Sequence, residues 1–424
     1  MSNKFTDHKG RPIIVVTGMG VVTSLGEGKD ANWKALSAGK SGIKKISRFS
    51  TEGLRTHIAG TVDFMEPEEI SAPAISYSMA DSTAGEALEQ AGFGTDGFPG
   101  PLYFAAPPVE LEWQHRFDLL AENTSSEAGY AAVLEAARNK KHERMHELVQ
   151  LGTIAYTIAD KYKTKGLPIS MSTACSSGAT AIQHGMEAII RGDTDAALCV
   201  ASDGSVTAEG LIRFSLLSAL TTNPEPTKAS RPFSKDRDGF VMSEGSAALV
   251  LESLEHATAR GANIIGVIKG VGEKADSFHR TRSSPDGMPA ITAMKYALAD
   301  ANLSPDEIGY VNAHGTSTPE NDRMESNSLA AVFGDRIREI PVSSNKSMIG
   351  HTLTAAGAVE AVFSYLTMSE NTIPPTINHE NPDPDIILDV VPNKSRQAEV
   401  DNILSNSFGF GGQNACLVFG RYLA

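Results

Sequence analysis

Cysteine is scarce. Cys175, Cys199 and Cys416 are the only three in 424 residues, far apart and without a C-x-x-C pair. That argues against a disulfide framework or a cysteine-zinc site and fits a reducing compartment. Long apolar runs are missing as well. The first ten residues hold no hydrophobic region, and "IIVV" at 13–16 is too short for a signal sequence or an anchor, so a cytoplasmic location without membrane insertion is expected. Basic residues are outnumbered: 37 Lys and Arg against 51 Asp and Glu leave a net charge of −14. Nucleic acid and anionic membrane are therefore disfavoured partners, and an acidic one needs a local basic patch. What is present, 41% hydrophobic and 21% charged residues, describes a globular chain. Its length exceeds one ordinary core, so two domains or two halves fused on one core are expected.

Strand and helix patterns alternate from the start. "RPIIVVTGMGVVTSLG" (11–26) reads as a strand running into a glycine-punctuated loop. Its Gly18 and Gly20 lack the third glycine and the later acidic residue of a dinucleotide site, so they read as a turn that allows close backbone approach. "AALCVAS" (196–202) and "SAALVLES" (246–253) are apolar on both faces, as strands covered on both sides are. There is also a faint internal repeat. "AGEALEQAGF" (84–93) matches "MKYALADANL" (294–303) at Ala87/Ala297, Leu88/Leu298 and Ala91/Ala301, each followed by a loop and a strand. "SMSTACSSGATAIQ" (170–183) has a counterpart in "SSNKSMIGHTLTAAGAVEA" (343–361): strand, small-residue loop, alanine-rich helix. The chain is thus an α/β protein of duplicated halves, 1–263 and 264–424, with buried helices kept small by alanine. Residues 107–150 break the pattern and read as a polar insertion over the surface.

Cys175 lies in "STACSSGAT" (172–180), between the apolar stretch "LPISMS", read as a buried strand, and a helix closed by Gly192. A thiol at that joint meets the positive end of a helix, which favours thiolate. His314 in "VNAHGTSTPEND" and His351 in "SSNKSMIGHTLTAAG" stand in small, polar loops at strand ends, as does "SNSFGFGGQNA" (405–415). The C-terminal ends of strands are where an α/β sheet places its ligand. Cys199 and Cys416 fall in apolar strands and read as packing, and the remaining histidines, His279 among them, read as ordinary polar groups.

The combination resembles the β-ketoacyl-acyl carrier protein synthases, the condensing enzymes of fatty acid elongation. It is carried by "VVTGMGVVTSLG", "STACSSGA", "ASRPFSKDRDGFVMSEGSAALVLE" (229–252), "NAHGTSTPEND", "SSNKSMIGHTLTAAGAVE" and "NSFGFGG", in order along nearly the whole chain. The resemblance implies a thiolase-like fold of five αβαβα layers and a homodimer. It implies Cys175 as the acyl-carrying nucleophile, and His314 and His351 as donors to the malonyl thioester carbonyl. The backbone N–H groups of Cys175 and Phe410 would form an oxyanion hole. Lys346 would set the electrostatics, with Glu325 as its ion-pair partner. Thr316 and Thr318 would bind the phosphopantetheine arm, and Phe408 and Phe410 would gate the acyl pocket. Two histidines, rather than histidine and asparagine, point to the elongating branch, and Cys416 does not stand where a thiolase keeps its second cysteine.

The implied reaction is decarboxylating condensation of an acyl chain on Cys175 with malonyl-acyl carrier protein, giving 3-oxoacyl-carrier and carbon dioxide, with no cofactor and no catalytic metal. Departures from the family pattern cluster at 107–150, where "LYFAAPPVELEWQHRF" and "AARNKKHERMHE" replace the usual acyl-pocket segments. They keep open a specialised enzyme for unusual or very long acyl chains, or a polyketide-type condensation. Arg138, Lys140, Lys141 and Arg144 are the candidate basic patch for the acidic carrier.

Overall fold

The protein is described from a computed structural model covering residues 4–67, 70–94, 97–108, 111–121, 128–138, 147 and 149–423. The main sheet has twelve strands among the described residues. Two are two-residue additions, Gly26–Glu27 beside the first strand and Asp389–Val390 beyond Pro341–Ser343, and the other ten build the fold: β1 (Ile14–Thr23), β2 (Leu102–Ala105), β3 (Ile169–Met171), β4 (Ala196–Asp203), β5 (Gly245–Ser253), β6 (Gly266–Ala275), β7 (Tyr310–Asn312), β8 (Pro341–Ser343), β9 (Asn402–Gly409) and β10 (Gln413–Gly420). Their spatial order is β3-β2-β4-β5-β1-β6-β10-β9-β7-β8. Read outward from the β1/β6 seam, β1–β5 and β6–β10 have the same order. They also share one pattern of directions: β2 is parallel to β3 and β4, as β7 is to β8 and β9, and the remaining pairs are antiparallel. The architecture is a duplicated α/β unit.

Six helices complete the two copies: α1 (Ala72–Gln90), α2 (Thr153–Tyr162) and α3 (Ser177–Ile190) in the first, α4 (Met288–Ala301), α5 (Pro319–Phe333) and α6 (Ala356–Glu370) in the second. Helix α1 packs on β1, β4 and β5, and α4 on β6 and β10. Helices α3 and α6 pack on each other between the two halves of the sheet. The seam between the halves is short, Ile14–Val16 against Gly266–Ile268. The result is five layers, with one apolar core around the central helices and another beneath each outer pair.

Small residues make this stacking possible. Glycines of β1 press against α1: a Cβ on Gly18 would stand 2.0 Å from the carbonyl oxygen of Ala87, and one on Gly20 2.1 Å from that of Thr83. The second copy repeats the contact, with Gly270 against Ala297 O at 2.4 Å and Gly272 against Ala293 O at 2.1 Å. The Ala87/Ala297 match in the sequence repeat therefore marks equivalent helix–strand contacts. The glycine-punctuated loop read at 18–20 is corrected here, because both glycines lie inside a continuous ten-residue strand. The close approach they permit is to a helix rather than across a turn. At the centre the contact is reciprocal: a Cβ on Gly178 would meet Ala358 N at 2.6 Å, and one on Gly357 would meet Ala179 N at 2.6 Å. Helix α6 is buried without a break from Ala356 to Tyr365, which only such small contacts permit.

Gly20→Ala and Gly272→Ala should each destabilise the protein by about 3 kcal/mol or more, because backbone carbonyls cannot yield to the new methyl group. Urea unfolding measures it, and a loss below about 1 kcal/mol for either would contradict the packing described.

β4 and β5 are buried along their whole lengths, as their two-sided apolar sequence requires. β3 is not: it is the last strand on its side of the sheet and Ile169 is 49% exposed. The expected buried strand before the cysteine is an edge strand. Within 107–150 the described parts include two nine-residue helices, Trp113–Ala121 and Tyr130–Arg138. Among the described residues no helix is long and apolar enough to cross a membrane.

Candidate active site

Four segments converge at the C-terminal ends of β3, β7, β8 and β9. The first follows β3. Ala174 takes a left-handed φ of +50°, rare without glycine, and the turn around it is over-determined. Ser177 Oγ accepts from Thr173 N at 2.8 Å and donates to Ala174 O at 2.6 Å, while Ser176 Oγ donates to Thr173 O at 2.8 Å. Cys175 is thereby held just ahead of α3, at the wall of a cavity of about 590 Å³.

The loop after β9 closes on this turn. A Cβ on Gly409 would lie 2.8 Å from Thr173 O and 3.2 Å from Cys175 N, so only glycine brings the chain close enough. The next N–H, that of Phe410, and the backbone N–H of Cys175 itself then both favour the thiolate. Burial nonetheless dominates and pushes the Cys175 thiol up to about 11, against the Phe410 N–H and the Lys346 charge, which pull it down. The depressed thiol expected from the helix terminus is therefore not found, because desolvation outweighs the groups that favour thiolate.

Alkylation of Cys175 by iodoacetamide should accordingly rise about tenfold per pH unit from pH 7 to 9, following the thiolate fraction. A plateau above pH 7 would contradict this account.

Both imidazoles line the same cavity. His314 follows β7 and His351 follows β8, with ring centroids 5.3 Å apart and nearly perpendicular planes. Leu353 N donates to His351 Nδ1 at 3.3 Å. That leaves the neutral ring's hydrogen on Nε2. His314 Nδ1 faces the Lys346 ammonium at 3.5 Å, which favours the same tautomer. Burial first, and then the Lys346 charge, hold both rings well below the usual histidine range. They are neutral N–H donors at neutral pH.

Lys346 is 1% exposed. Its ion-pair partner is Glu360 of α6, which corrects the expected pairing with Glu325. Glu325 is committed elsewhere: its carboxylate accepts the backbone N–H groups of His314 at 2.9 Å and Gly315 at 2.8 Å, and Asn406 Nδ2 at 3.1 Å. Glu325 shapes the histidine loop, and Glu360 offsets the lysine's charge. The sequence held a signal for Glu360: it is the lone carboxylate inside "TAAGAVEAVF", an otherwise small and apolar helix.

Thr316 and Thr318 line the cavity with their hydroxyls 2.9 Å apart, and Thr318 also caps α5 by accepting from Asn321 N at 3.3 Å. The Phe408 ring packs 5.7 Å from His314, and the Phe410 ring lies 6.5 Å from Phe214 on the opposite wall. Phe214, Phe240, Asp276, His279 and Arg282 line the cavity too and were not singled out from the sequence. Of the candidate docking patch, Arg138 ends the helix Tyr130–Arg138 and is exposed, whereas Lys140, Lys141 and Arg144 lie outside the described residues. Cys199 and Cys416 are buried in β4 and β10.

Comparison with known proteins agrees with this geometry. Residues 12–257 match the β-ketoacyl synthase N-terminal domain and residues 265–380 the C-terminal domain. A 3-oxoacyl-[acyl-carrier-protein] synthase 2 of Coxiella burnetii is 39% identical over 96% of this chain and 98% of its own. The synthase of the same name from Staphylococcus aureus is 34% identical over 97% and 99%. Among solved structures, a type II polyketide ketosynthase in complex with its acyl-carrier protein superposes with a TM-score of 0.87 at 31% identity, covering 97% of this chain and all of that one. A β-ketoacyl synthase from Burkholderia phymatum gives 0.82 at 33%, with the same coverage. A half-buried thiol, two neutral imidazoles and a thiolase-like duplication thus occur in a chain that aligns with these synthases over nearly its whole length: it belongs to the β-ketoacyl synthase family.

Proposed function

We propose that this protein elongates fatty acyl chains by decarboxylating Claisen condensation on Cys175, using malonyl-acyl carrier protein. The observation that carries the reading is the meeting, in one cavity, of the Cys175 thiol with two neutral imidazoles 5.3 Å apart.

In the first half-reaction the Cys175 sulfur attacks the acyl thioester. The Phe410 and Cys175 N–H groups hold the tetrahedral oxyanion, and the thiol proton leaves with the released pantetheine thiol. In the second, the malonyl thioester carbonyl accepts hydrogen bonds from His314 and His351. As the carboxylate leaves as carbon dioxide, its bonding electrons pass into the enolate that those bonds stabilise. Neutrality of the rings matters, because an imidazolium would protonate the carbanion. The enolate carbon instead attacks the acyl carbon, and collapse expels Cys175 as thiolate, which regains a proton from solvent. Lys346 serves both halves: its charge favours the thiolate and keeps the imidazoles unprotonated.

Thr316 and Thr318 are the proposed partners of the pantetheine amides, and Phe408 and Phe410 the proposed gate to the acyl pocket. We place the junction of the halves at 263/264, between the two family matches, and assign 107–150 as the insertion. The protein is proposed to work in the cytoplasm with an acyl carrier protein, met by the basic surface of Arg138, Lys140, Lys141 and Arg144. It is proposed to be a homodimer joined at β3, an open edge on which Ile169, and Leu167 just before it, are exposed. Light scattering should give twice the 44.9 kDa chain mass. The higher identity to the 3-oxoacyl-[acyl-carrier-protein] synthase of Coxiella burnetii than to the polyketide ketosynthase favours fatty acid elongation over polyketide synthesis.

Purified protein given labelled acyl-carrier and malonyl-carrier separates the readings. A 3-oxoacyl product supports condensation, free acid would mean a thiol hydrolase, and absence of any product would mean a non-catalytic subunit.

A further inference from the structure

The cavity distributes its polarity unevenly. Cys175, the two imidazoles and the hydroxyls of Thr316 and Thr318 share its lining, and His314, His351 and Thr316 are buried. Arg282 is the one arginine or lysine among the described lining residues, and its side chain is 65% exposed. Thr281 and Ser283 line the cavity on either side of it. The guanidinium makes no hydrogen bond among the described residues. Its nearest partner is Glu320 Oε1, 3.5 Å from Nε, on a carboxylate that is itself 63% exposed. Such a loose surface pair is readily exchanged for a better anion. The segment that carries Arg282 is itself fixed. Arg280 O accepts the Gly411 N–H at 2.7 Å, and the Asp276 carboxylate accepts the backbone N–H groups of Phe278 at 2.9 Å and Ser284 at 2.7 Å.

A carrier-borne thioester has a matching sequence of groups. Its reactive carbonyl lies at one end, two amides and a hydroxyl lie along the arm, and a single negative charge, the phosphodiester, sits at the end joined to the carrier protein. We propose that Arg282, flanked by Thr281 and Ser283, binds that phosphodiester and so sets how deeply the arm is inserted. The inference rests on the condensation reading above. Arginine suits the task because its planar donors engage two phosphate oxygens at once. It also provides local attraction for an anionic arm in a chain whose net charge is −14.

The test compares substrates with and without the phosphate. In Arg282→Ala the KM for acyl-carrier and malonyl-carrier should rise about tenfold, with kcat changed less than about twofold. The KM for an acyl-pantetheine thioester, which lacks the phosphate, should not change, and Arg282→Lys should recover part of the loss. An equal rise for both substrate types, or no rise for either, overturns the proposal. A second measurement needs no catalysis. NMR titration should show phosphopantetheine binding the native protein more tightly than pantetheine by about fivefold, and this advantage should vanish in Arg282→Ala. If the advantage is present and lost as described while no condensation is found, the phosphate site stands and the condensation reading falls. If it is absent from the native protein, the phosphate site falls.

Discussion

Cys175→Ala should abolish 3-oxoacyl product, by about 10⁴-fold or more, while malonyl-carrier decarboxylation persists. The split follows from the geometry. The acyl group has no other accessible thiol: Cys199 and Cys416 are buried in strands, with 1% and 0% exposure. Decarboxylation needs only the two Nε2–H donors, which are positioned by Leu353, Lys346 and the fold rather than by the thiol. The variant should fold normally, since an alanine methyl fits where the sulfur stood. Product formation by the alanine variant, or loss of decarboxylation together with condensation, would contradict the division of labour. Carbon dioxide release and product formation, measured in the same sample, decide it.

Alanine at His314 or at His351 should have the complementary effect. Each removes one donor to the developing enolate, and a buried donor of that kind contributes ~3–4 kcal/mol. Decarboxylation should fall by about 10²- to 10³-fold in each variant, whereas transfer of the acyl group onto Cys175 should fall far less, because its oxyanion is held by Phe410 and Cys175 N–H. The pH profile carries a further check. Because burial and the Lys346 charge depress both imidazole pKa values, the neutral form persists as the solution is acidified. It is lost only as pH falls through the depressed values, so decarboxylation should show no acid limb centred near 6.5. An inflection there would mean that the rings titrate as exposed histidines.

The sequence already held much of this. Cys175 was legible because a cysteine among small residues, between a strand and a helix, has few structural reasons to be there. The His351 loop was legible because it is the counterpart of the Cys175 loop in the repeat, and Ala87 and Ala297 turned out to mark the same helix–strand contact in both copies. Three features were not legible, each for a physical reason. Gly18 and Gly20 looked like a turn because glycine disfavours strands, and only the helix lying across them explains their presence. Which carboxylate meets Lys346 depends on how α5 and α6 lie against the β7 and β8 loops. Glu325 and Glu360 are both buried, and sequence spacing does not rank their distances. The Cys175 thiol looked activated because the helix terminus is visible in sequence, whereas the desolvation that opposes it exists only once β9 and its loop have closed over the turn. Arg282 and His279 stayed hidden because the cavity mouth is assembled from segments that are far apart in the chain.

Lys346 links these points. It stands 3.5 Å from one imidazole, is charge-compensated by Glu360, and acts electrostatically on the thiol as well. One buried cation therefore tunes three reacting groups in directions that all serve condensation.

The most direct test is mass spectrometry of the native protein after exposure to acyl-carrier alone, followed by a chase with malonyl-carrier. The account predicts one acyl group, on the peptide containing Cys175, which the chase discharges as 3-oxoacyl-carrier with one carbon dioxide released per acyl group consumed. Acylation at another residue, or an acyl-Cys175 that malonyl-carrier leaves in place, would contradict it.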